Sequence, residues 1–233
     1  MYENNKEDIL CGGIKYTMLS LMSNKIKVLI VGGGNAAFIK AKTFIKKGCL
    51  VSIVAKDFND EFRELKNYNN LKIIKSEYKR EYIECNHLVI IATNSEKINF
   101  QIRSHCRESY KLYIDCTSPE DGLCVTPCQR NTKNIFLGVN TYSGNPRASV
   151  YLADKMIKEC EVKYDKFIEF TSDLRKRLGN RSIKKEMMKF VCSEDFYFFY
   201  EKGKEDIVLN MFYMDEYTDN RMVIDFETKN CNS

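Results

Sequence analysis

An apolar run, three glycines and a helix-like segment follow one another near the start of the chain, and this order constrains the fold most. Residues 28–31 read Val-Leu-Ile-Val, as expected of a strand buried on both faces of a parallel sheet. Residues 32–34 are glycines, and residues 36–45 then place apolar side chains near helical spacing. Three glycines alone often form only a flexible loop. Between a buried strand and an amphipathic helix, they predict a nucleotide-binding site.

The residues of this loop fit the G-x-G-x-x-G/A fingerprint through Gly32, Gly34 and Ala37. The first glycine permits a tight turn, and the second lets a pyrophosphate approach the backbone. The small third residue lets the helix pack close to the strand. The N–H groups and the positive dipole end of that helix then face the phosphates. Gly32 and Gly34 are therefore predicted to bind a dinucleotide cofactor.

Strand-like and helix-like segments continue to alternate along the chain. Further strand-like runs occupy residues 50–55, 71–74, 87–92, 112–116 and 135–140, and a helix-like stretch occupies residues 59–68. This alternation predicts an α/β fold with a Rossmann-type, doubly wound and mostly parallel sheet. We therefore assign residues 1–140 to a nucleotide-binding Rossmann domain, with a polar leader at residues 1–13.

The ligand crevice of such a sheet lies at the carboxyl ends of the strands, where the strand order reverses. Four loops are expected to share it: residues 32–36, 55–58, 93–96 and 117–122.

After residue 140 the pattern becomes helical. The sequence Ser-Gly-Asn-Pro at residues 143–146 breaks the preceding strand and favours a helix start, and two more helical stripes follow. The predicted helices cover residues 147–160, 163–178 and 183–191. Because exposed apolar helix faces often become dimer interfaces, residues 141–162 are expected to form a dimerisation segment. Residues 163–233 are expected to form a C-terminal helical domain with an acidic tail.

The composition excludes several classes of protein. The 233 residues, 44% hydrophobic and 30% charged, suit a globular core, and no apolar run approaches the roughly 20 residues that span a bilayer. The polar start is not a signal peptide, so we expect a soluble cytoplasmic protein with no membrane partner.

The net charge of +5 is consistent with an anionic ligand, and the absence of an arginine-rich cluster argues against a nucleic-acid partner. Ten scattered cysteines without a C-x-x-C pair, and only two histidines, predict reduced thiols and no metal site.

The end of the second strand leaves the choice of nucleotide open. An acid about 20 residues after the glycines normally binds the ribose of NAD. Here the strand ends in Lys56, and Asp57 follows slightly late. Lys56 can meet the 2′-phosphate of NADP, or it can be an ordinary solvated lysine.

Acidic residues cluster near the end of the fifth predicted strand, inside the expected crevice. They are Asp115, Glu120 and Asp121. Acids in loops are usually soluble turn residues, yet this location makes them candidates for catalysis or for contact with a metal.

A set of short motifs occurs in a fixed order along the chain. The motifs are Tyr-Thr-Met-Leu at 16–19, the strand and glycine loop at 28–37, Val-Ser-Ile-Val-Ala at 51–55, Ile-Ala-Thr-Asn at 91–94, Asp-Gly at 121–122, Pro127, Val-Asn-Thr at 139–141 and Asn-Pro at 145–146. This ordered set, which covers about residues 14–178, resembles the precorrin-2 dehydrogenase and siroheme synthase N-terminal family.

This resemblance implies an NAD-dependent oxidation of precorrin-2 to sirohydrochlorin, by a homodimer that joins a Rossmann domain to a dimerisation segment and C-terminal helices. Some members of the family also insert iron. Carried over by position, the cofactor-binding residues are Asn35, Ala36, Lys56, Asp57, Thr93 and Asn94.

One departure concerns the catalytic position. Bifunctional members of the family have an aspartate just after the fifth strand, where this chain has Thr117, followed by Ser118. Members that only dehydrogenate have a Ser-Ser pair there, which Thr117 and Ser118 resemble more closely. We therefore take Thr117 as the catalytic candidate and Ser118 as a substrate contact. Asp115 is a second catalytic candidate, because strand alternation puts it on the same face as Thr117.

The substrate that the resemblance implies is a polycarboxylate, so basic side chains are expected to bind it. The candidates are Arg130, Lys133 and Arg147, of which Arg147 opens a helix.

Two other functions stay open at this point. One is a bifunctional dehydrogenase and ferrochelatase. The other is an NAD-sensing regulatory module, which would explain the glycine loop and the lack of obvious catalytic side chains. Such modules usually keep the ribose-binding acid, and they do not explain the helix entry at Asn145 and Pro146.

Overall fold

The computed structural model describes residues 16–142, 144–179 and 182–213. The chain divides between Thr126 and Pro127 into two compact units. The predicted polar leader, Ser143 and the chain from residue 214 onward lie outside the described residues.

The first unit is built on a five-stranded, wholly parallel sheet in the order β3-β2-β1-β4-β5. This order is that of a doubly wound sheet whose direction reverses between β1 and β4, which confirms the predicted fold class. The strands are β1 (Lys27–Val31), β2 (Leu50–Ala55), β3 (Leu71–Lys75), β4 (Leu88–Ile91) and β5 (Leu112–Asp115). The helices are α1 (Asn35–Lys46), α2 (Glu81–Glu84) and α3 (Glu96–Glu108).

The apolar run of β1 is buried on both faces, as its sequence predicts. Val28 and Ile30 pack into a core that contains residues of α1. Leu29 and Val31 pack into a second core, on which α3 places Ile102. Alternate side chains of one strand therefore bind the two helical layers to the sheet.

Two expectations for this part of the chain were wrong. The helix-like stretch at residues 59–68 forms a short 3-10 helix, Asp60–Leu65. The sixth predicted strand does not extend the parallel sheet: as β7 (Phe136–Val139) it pairs antiparallel with β6 (Cys128–Asn131) in the second unit. The link between β6 and β7 is short enough for a hairpin, whereas a parallel strand needs a crossover of a dozen or more residues.

Helices make up most of the remaining described residues of the second unit. They are α4 (Pro146–Glu159), α5 (Asp165–Arg177), α6 (Lys184–Val191) and α7 (Glu194–Glu201), with a π-helical turn at Cys160–Tyr164 and further helix at residues 205–213. Asn145 caps α4, since its side-chain oxygen accepts the N–H of Ala148 at 3.1 Å. The core of α5 to α7 includes Phe167, Leu174 and Phe196.

The helices predicted from residues 147, 163 and 183 therefore match α4, α5 and α6. Helix α7 and the helix at residues 205–213 were not predicted. The roles assigned to residues 141–162 and 163–233 stay predictions. Among the described residues, no helix combines the length and the apolar character that crossing a bilayer requires.

Candidate functional site

A cavity of about 730 Å³ opens in the first unit at the carboxyl ends of β1, β2 and β4. Its size is typical of a small-molecule or cofactor site, and it lies at the point where the strand order reverses. The walls come from the glycine loop after β1 and from the loops that follow β2, β3 and β4. Three of the four loops predicted to share a crevice therefore line this cavity.

The glycine loop is held tightly by the neighbouring loops at its first two residues. Gly32 has a φ of +136°, and a Cβ there would lie 2.1 Å from the carbonyl oxygen of Ala92. A Cβ on Gly33 would lie 1.9 Å from the carbonyl oxygen of Asp57. Both positions therefore require glycine for close backbone approach. The fingerprint had assigned no role to Gly33, although its place in a run of three glycines was a signal.

Gly34 differs from its two neighbours because it borders open space. Apart from adjacent chain, no described residue has an atom within 4 Å of a Cβ added there. Gly34 is also the N-cap of α1 and offers no side-chain acceptor, so the N–H groups of the first turn can meet an anion. Asn35 and Ala36 form that exposed turn, while Ala37 is fully buried.

Two ion pairs lie at the end of the cavity that is formed by the loops after β2 and β3. Lys56 and Asp57 both line it, as does Glu77. The Lys56 ammonium lies 2.7 Å from Oε1 of Glu77, and Asp57 pairs with Lys75 at 3.2 Å. The hydrogen bond between Lys56 and Glu77 raises the pKa of Lys56 and lowers the pKa of Glu77. Glu77 was not predicted, although its place just after the third strand was a signal.

A buried asparagine, Asn99 on α3, joins the loops that follow β4 and β5. Its side-chain oxygen accepts the Thr93 hydroxyl at 2.5 Å. Its amide donates to the Thr93 carbonyl at 3.1 Å and to the Thr117 hydroxyl at 3.2 Å. Thr93 and Asn94 line the cavity, so Asn99 connects the cavity wall to the predicted catalytic threonine.

The carboxylate of Asp115 is built into the loop that follows β5. The residue is 2% exposed. Its Oδ1 accepts the N–H of Thr117 at 2.8 Å, the Thr117 hydroxyl at 2.7 Å and the N–H of Ser118 at 3.0 Å. Burial alone would raise the pKa of Asp115, but these bonds and Arg103 outweigh it and hold that pKa below its usual value. Asp115 therefore stays ionised and fixes the turn at Thr117 and Ser118.

Arg103 on α3 neutralises this buried acid. Its guanidinium donates to Asp115 Oδ2 at 2.6 Å, lies 3.6 Å from Asp121, and also pairs with Glu96. Arg103 and Asn99 were missed by the sequence reasoning. Their spacing of four residues places both on the face of α3 that also buries Ile102, which is an unusual setting for polar side chains and was the available signal.

The basic residues predicted to bind substrate belong to the second unit. Arg130 on β6 donates to Asp154 at 2.6 Å, and this bond raises the pKa of Arg130. Lys133 pairs with Glu169. Arg147 is exposed in the first turn of α4. Substrate binding by these residues and by Ser118 stays a prediction.

Metal ligands are not clustered in the part of the chain that the structure describes: no group of three or more His, Cys, Asp or Glu side chains could hold an ion there.

Comparisons with known proteins agree with the geometry of the first unit. The family model described as "Putative NAD(P)-binding" matches residues 19–128, which include the whole parallel sheet. The solved structure of SirC, a precorrin-2 dehydrogenase, matches with a TM-score of 0.64 at 20% identity over 85% of this chain and 100% of that one. At this identity the likeness shows the fold.

Sequence relatives point the same way. The precorrin-2 dehydrogenase of Priestia megaterium is 22% identical over 170 residues, which are 73% of this chain and 83% of the relative. Siroheme synthase 2 of Pectobacterium atrosepticum is 26% identical over 156 residues, or 67% of this chain and 34% of that protein. A siroheme synthase of a Psychrobacter species is 24% identical over 157 residues. The match thus spans about a third of the length of these siroheme synthases.

Proposed function

We propose that the chain belongs to the precorrin-2 dehydrogenase and siroheme synthase N-terminal family and that it oxidises precorrin-2 to sirohydrochlorin with NAD as the cofactor. The observation that carries this proposal is the cavity at the strand reversal, where Gly34 leaves open space beside the start of α1. Family membership supplies the substrate, and the cavity supplies the place for the oxidant.

The residues around the cavity fit a dinucleotide. Gly34 and the first turn of α1, Asn35 and Ala36, would bind the pyrophosphate through backbone N–H groups. Lys56 and Asp57 would lie near the adenosine ribose, as in other sheets of this kind. Thr93 and Asn94 would lie beside the nicotinamide half, and Asn99 fixes their loop. When bound, NAD supplies the acceptor for the hydride.

The side chains have a positioning task in this reaction. Asp115 holds the Thr117 hydroxyl and the Ser118 N–H in one orientation, and Asn99 holds the same hydroxyl from the other side. We propose that Thr117 contacts the ring carbon region of the substrate and that Ser118 binds one of its polar groups. Asp115 then acts through Thr117. Correct placement of reactants can by itself account for a large share of a rate enhancement.

Charge and oligomeric state complete the proposal. Arg130 and Arg147 are proposed to bind carboxylates of the tetrapyrrole. Arg147 is the stronger candidate because it lies in the first turn of α4, where the positive end of the helix dipole also attracts an anion. Helix α4 exposes Tyr151, Leu152 and Met156, which supports a homodimer formed through this segment. The proposed enzyme works in the cytoplasm, without nucleic acid or membrane.

The test is an anaerobic incubation of the pure protein with precorrin-2 and NAD, followed by absorption spectroscopy. Conversion to the sirohydrochlorin spectrum with matching formation of NADH is the expected result. The same protein without NAD is the control. No conversion, under conditions where an authentic precorrin-2 dehydrogenase works, would refute the proposed activity; nucleotide binding without turnover would favour the regulatory module instead.

A second arm addresses iron or cobalt as a substrate. Thr117 occupies the position where bifunctional members of the family have an aspartate, and Asp115 is engaged by Arg103. We therefore expect metal insertion into sirohydrochlorin to be no faster than the spontaneous reaction. Faster insertion would assign the chain to the bifunctional class.

A further inference from the structure

The charged side chains that line the cavity are gathered at one end of it. Among the described residues of its wall, they are Lys56 and Asp57 after β2 and Glu77 after β3. Each carboxylate at this end already pairs with an ammonium group, Glu77 with Lys56 and Asp57 with Lys75. A wall with this balance disfavours a dianionic phosphate and suits a hydroxyl-bearing group.

Lys56 stands where a Rossmann sheet normally carries its ribose-binding acid, directly after the second strand. Its ammonium draws the carboxylate of Glu77 to within 2.7 Å, so an acid reaches the end of β2 from the neighbouring strand. Asp57 pairs instead with Lys75, a residue of β3 that is not part of the cavity wall. Glu77 is therefore the carboxylate of the cavity wall that pairs with Lys56, the residue at the position of the missing acid.

We propose that Glu77 makes the site selective for NAD over NADP, an inference that rests on the proposed function of the cavity as the cofactor site. The Glu77 carboxylate has two oxygens, of which Oε1 meets Lys56. The other can accept a hydrogen bond from the 2′-hydroxyl of the adenosine ribose. The same carboxylate repels the 2′-phosphate of NADP, and it occupies the lysine that would otherwise bind that phosphate.

The experiment titrates the full chain with NADH and with NADPH and follows the fluorescence of the reduced nicotinamide. The wild-type protein is expected to bind NADH at least about tenfold more tightly than NADPH, roughly the effect of one lost charge-assisted contact. Glu77→Gln should reduce this preference about fivefold or more. Glu77→Lys should reverse it, because two ammonium groups would then face the phosphate.

Two matched variants sharpen the result. Glu81→Gln removes a carboxylate that lies 3.8 Å from Lys79, outside the cavity wall, and should leave both affinities unchanged. Asp57→Asn removes the other carboxylate of the wall and should change the preference less than Glu77→Gln does.

Each contrary outcome has its own meaning. Equal affinity of the wild-type protein for the two nucleotides, or an unchanged preference in Glu77→Gln, would overturn the role of Glu77. A shift seen only in Asp57→Asn would assign selectivity to Asp57. If the wild-type protein bound neither nucleotide, the proposed cofactor site itself would be refuted.

Discussion

The glycines after β1 meet different physical demands at neighbouring positions. Gly32 and Gly33 are required because backbone carbonyls of the adjacent loops lie where a Cβ would be. At Gly34 the space beside the backbone is open, so packing among the described residues does not require glycine there, and the proposed cofactor is the reason that we assign to it. The fingerprint identifies the loop, but it does not separate these two reasons, since the contacts come from loops distant in sequence.

A pair of alanine substitutions separates them experimentally. Gly32→Ala should destabilise the fold by roughly 1–3 kcal/mol for backbone strain and a similar amount for the clash with Ala92. Gly34→Ala should change the free energy of unfolding by less than about 1 kcal/mol. Urea denaturation of both variants measures the difference. Equal destabilisation by the two substitutions would contradict the open space seen at Gly34.

A larger substitution tests the cofactor role of the same residue. Gly34→Asp should abolish NADH binding, because a carboxylate would occupy the place proposed for the pyrophosphate. The fold should survive, and circular dichroism and thermal unfolding check this. Wild-type affinity for NADH in this variant would refute the placement of the cofactor over α1.

At the scale of single elements, the sequence predicts the sheet well. Each strand of the parallel sheet lies within about one residue of its predicted run. The prediction succeeds because β4 and residues 28–31 of β1 are continuous apolar runs and β2 is interrupted only by Ser52, as expected of strands covered on both faces.

The polar residues that α3 buries were not predicted from the sequence. Its Asn99 and Arg103 lie on the buried face. Their partners are Thr93 and Thr117 on loops and Asp115 at the end of β5, which only the folded sheet brings near.

Because Asp115 is ionised in the folded protein, we expect its contribution to the free energy of unfolding to depend on pH. Its pKa is held below the ordinary value in the folded protein, so its contribution to stability is complete above the unfolded pKa of about 3.9. That contribution is lost as the pH falls from there through the folded pKa. Asp115→Asn should therefore be less stable than the wild-type protein near pH 7, and the gap should narrow below about pH 4. Urea unfolding across this range measures it, and a gap independent of pH would contradict the argument.

At the scale of the whole molecule, the boundary between the units shows what a linear pattern leaves out. The run at residues 135–140 has the composition of one more sheet strand, and the predicted Rossmann domain was extended to include it. Its actual partner is β6, a mostly half-buried strand whose polar sequence Cys-Gln-Arg-Asn does not read as a strand. The sequence of a strand does not say which other strand it pairs with. Because β7 pairs with β6, it lies in the second unit and not in the parallel sheet.

The oligomeric state is the last expectation at this scale. Leu152 and Met156 are four residues apart on α4 and both are exposed, so one apolar stripe would be left in water by a monomer. We expect a dimer by analytical ultracentrifugation, and Leu152→Glu with Met156→Glu should shift it towards monomer, because paired copies would bury these charges. Phe100→Glu, on an exposed position of α3, is the matched control and should leave the dimer intact. A dimer that survives the double substitution would move the interface away from α4, and a monomeric wild-type protein would refute the homodimer.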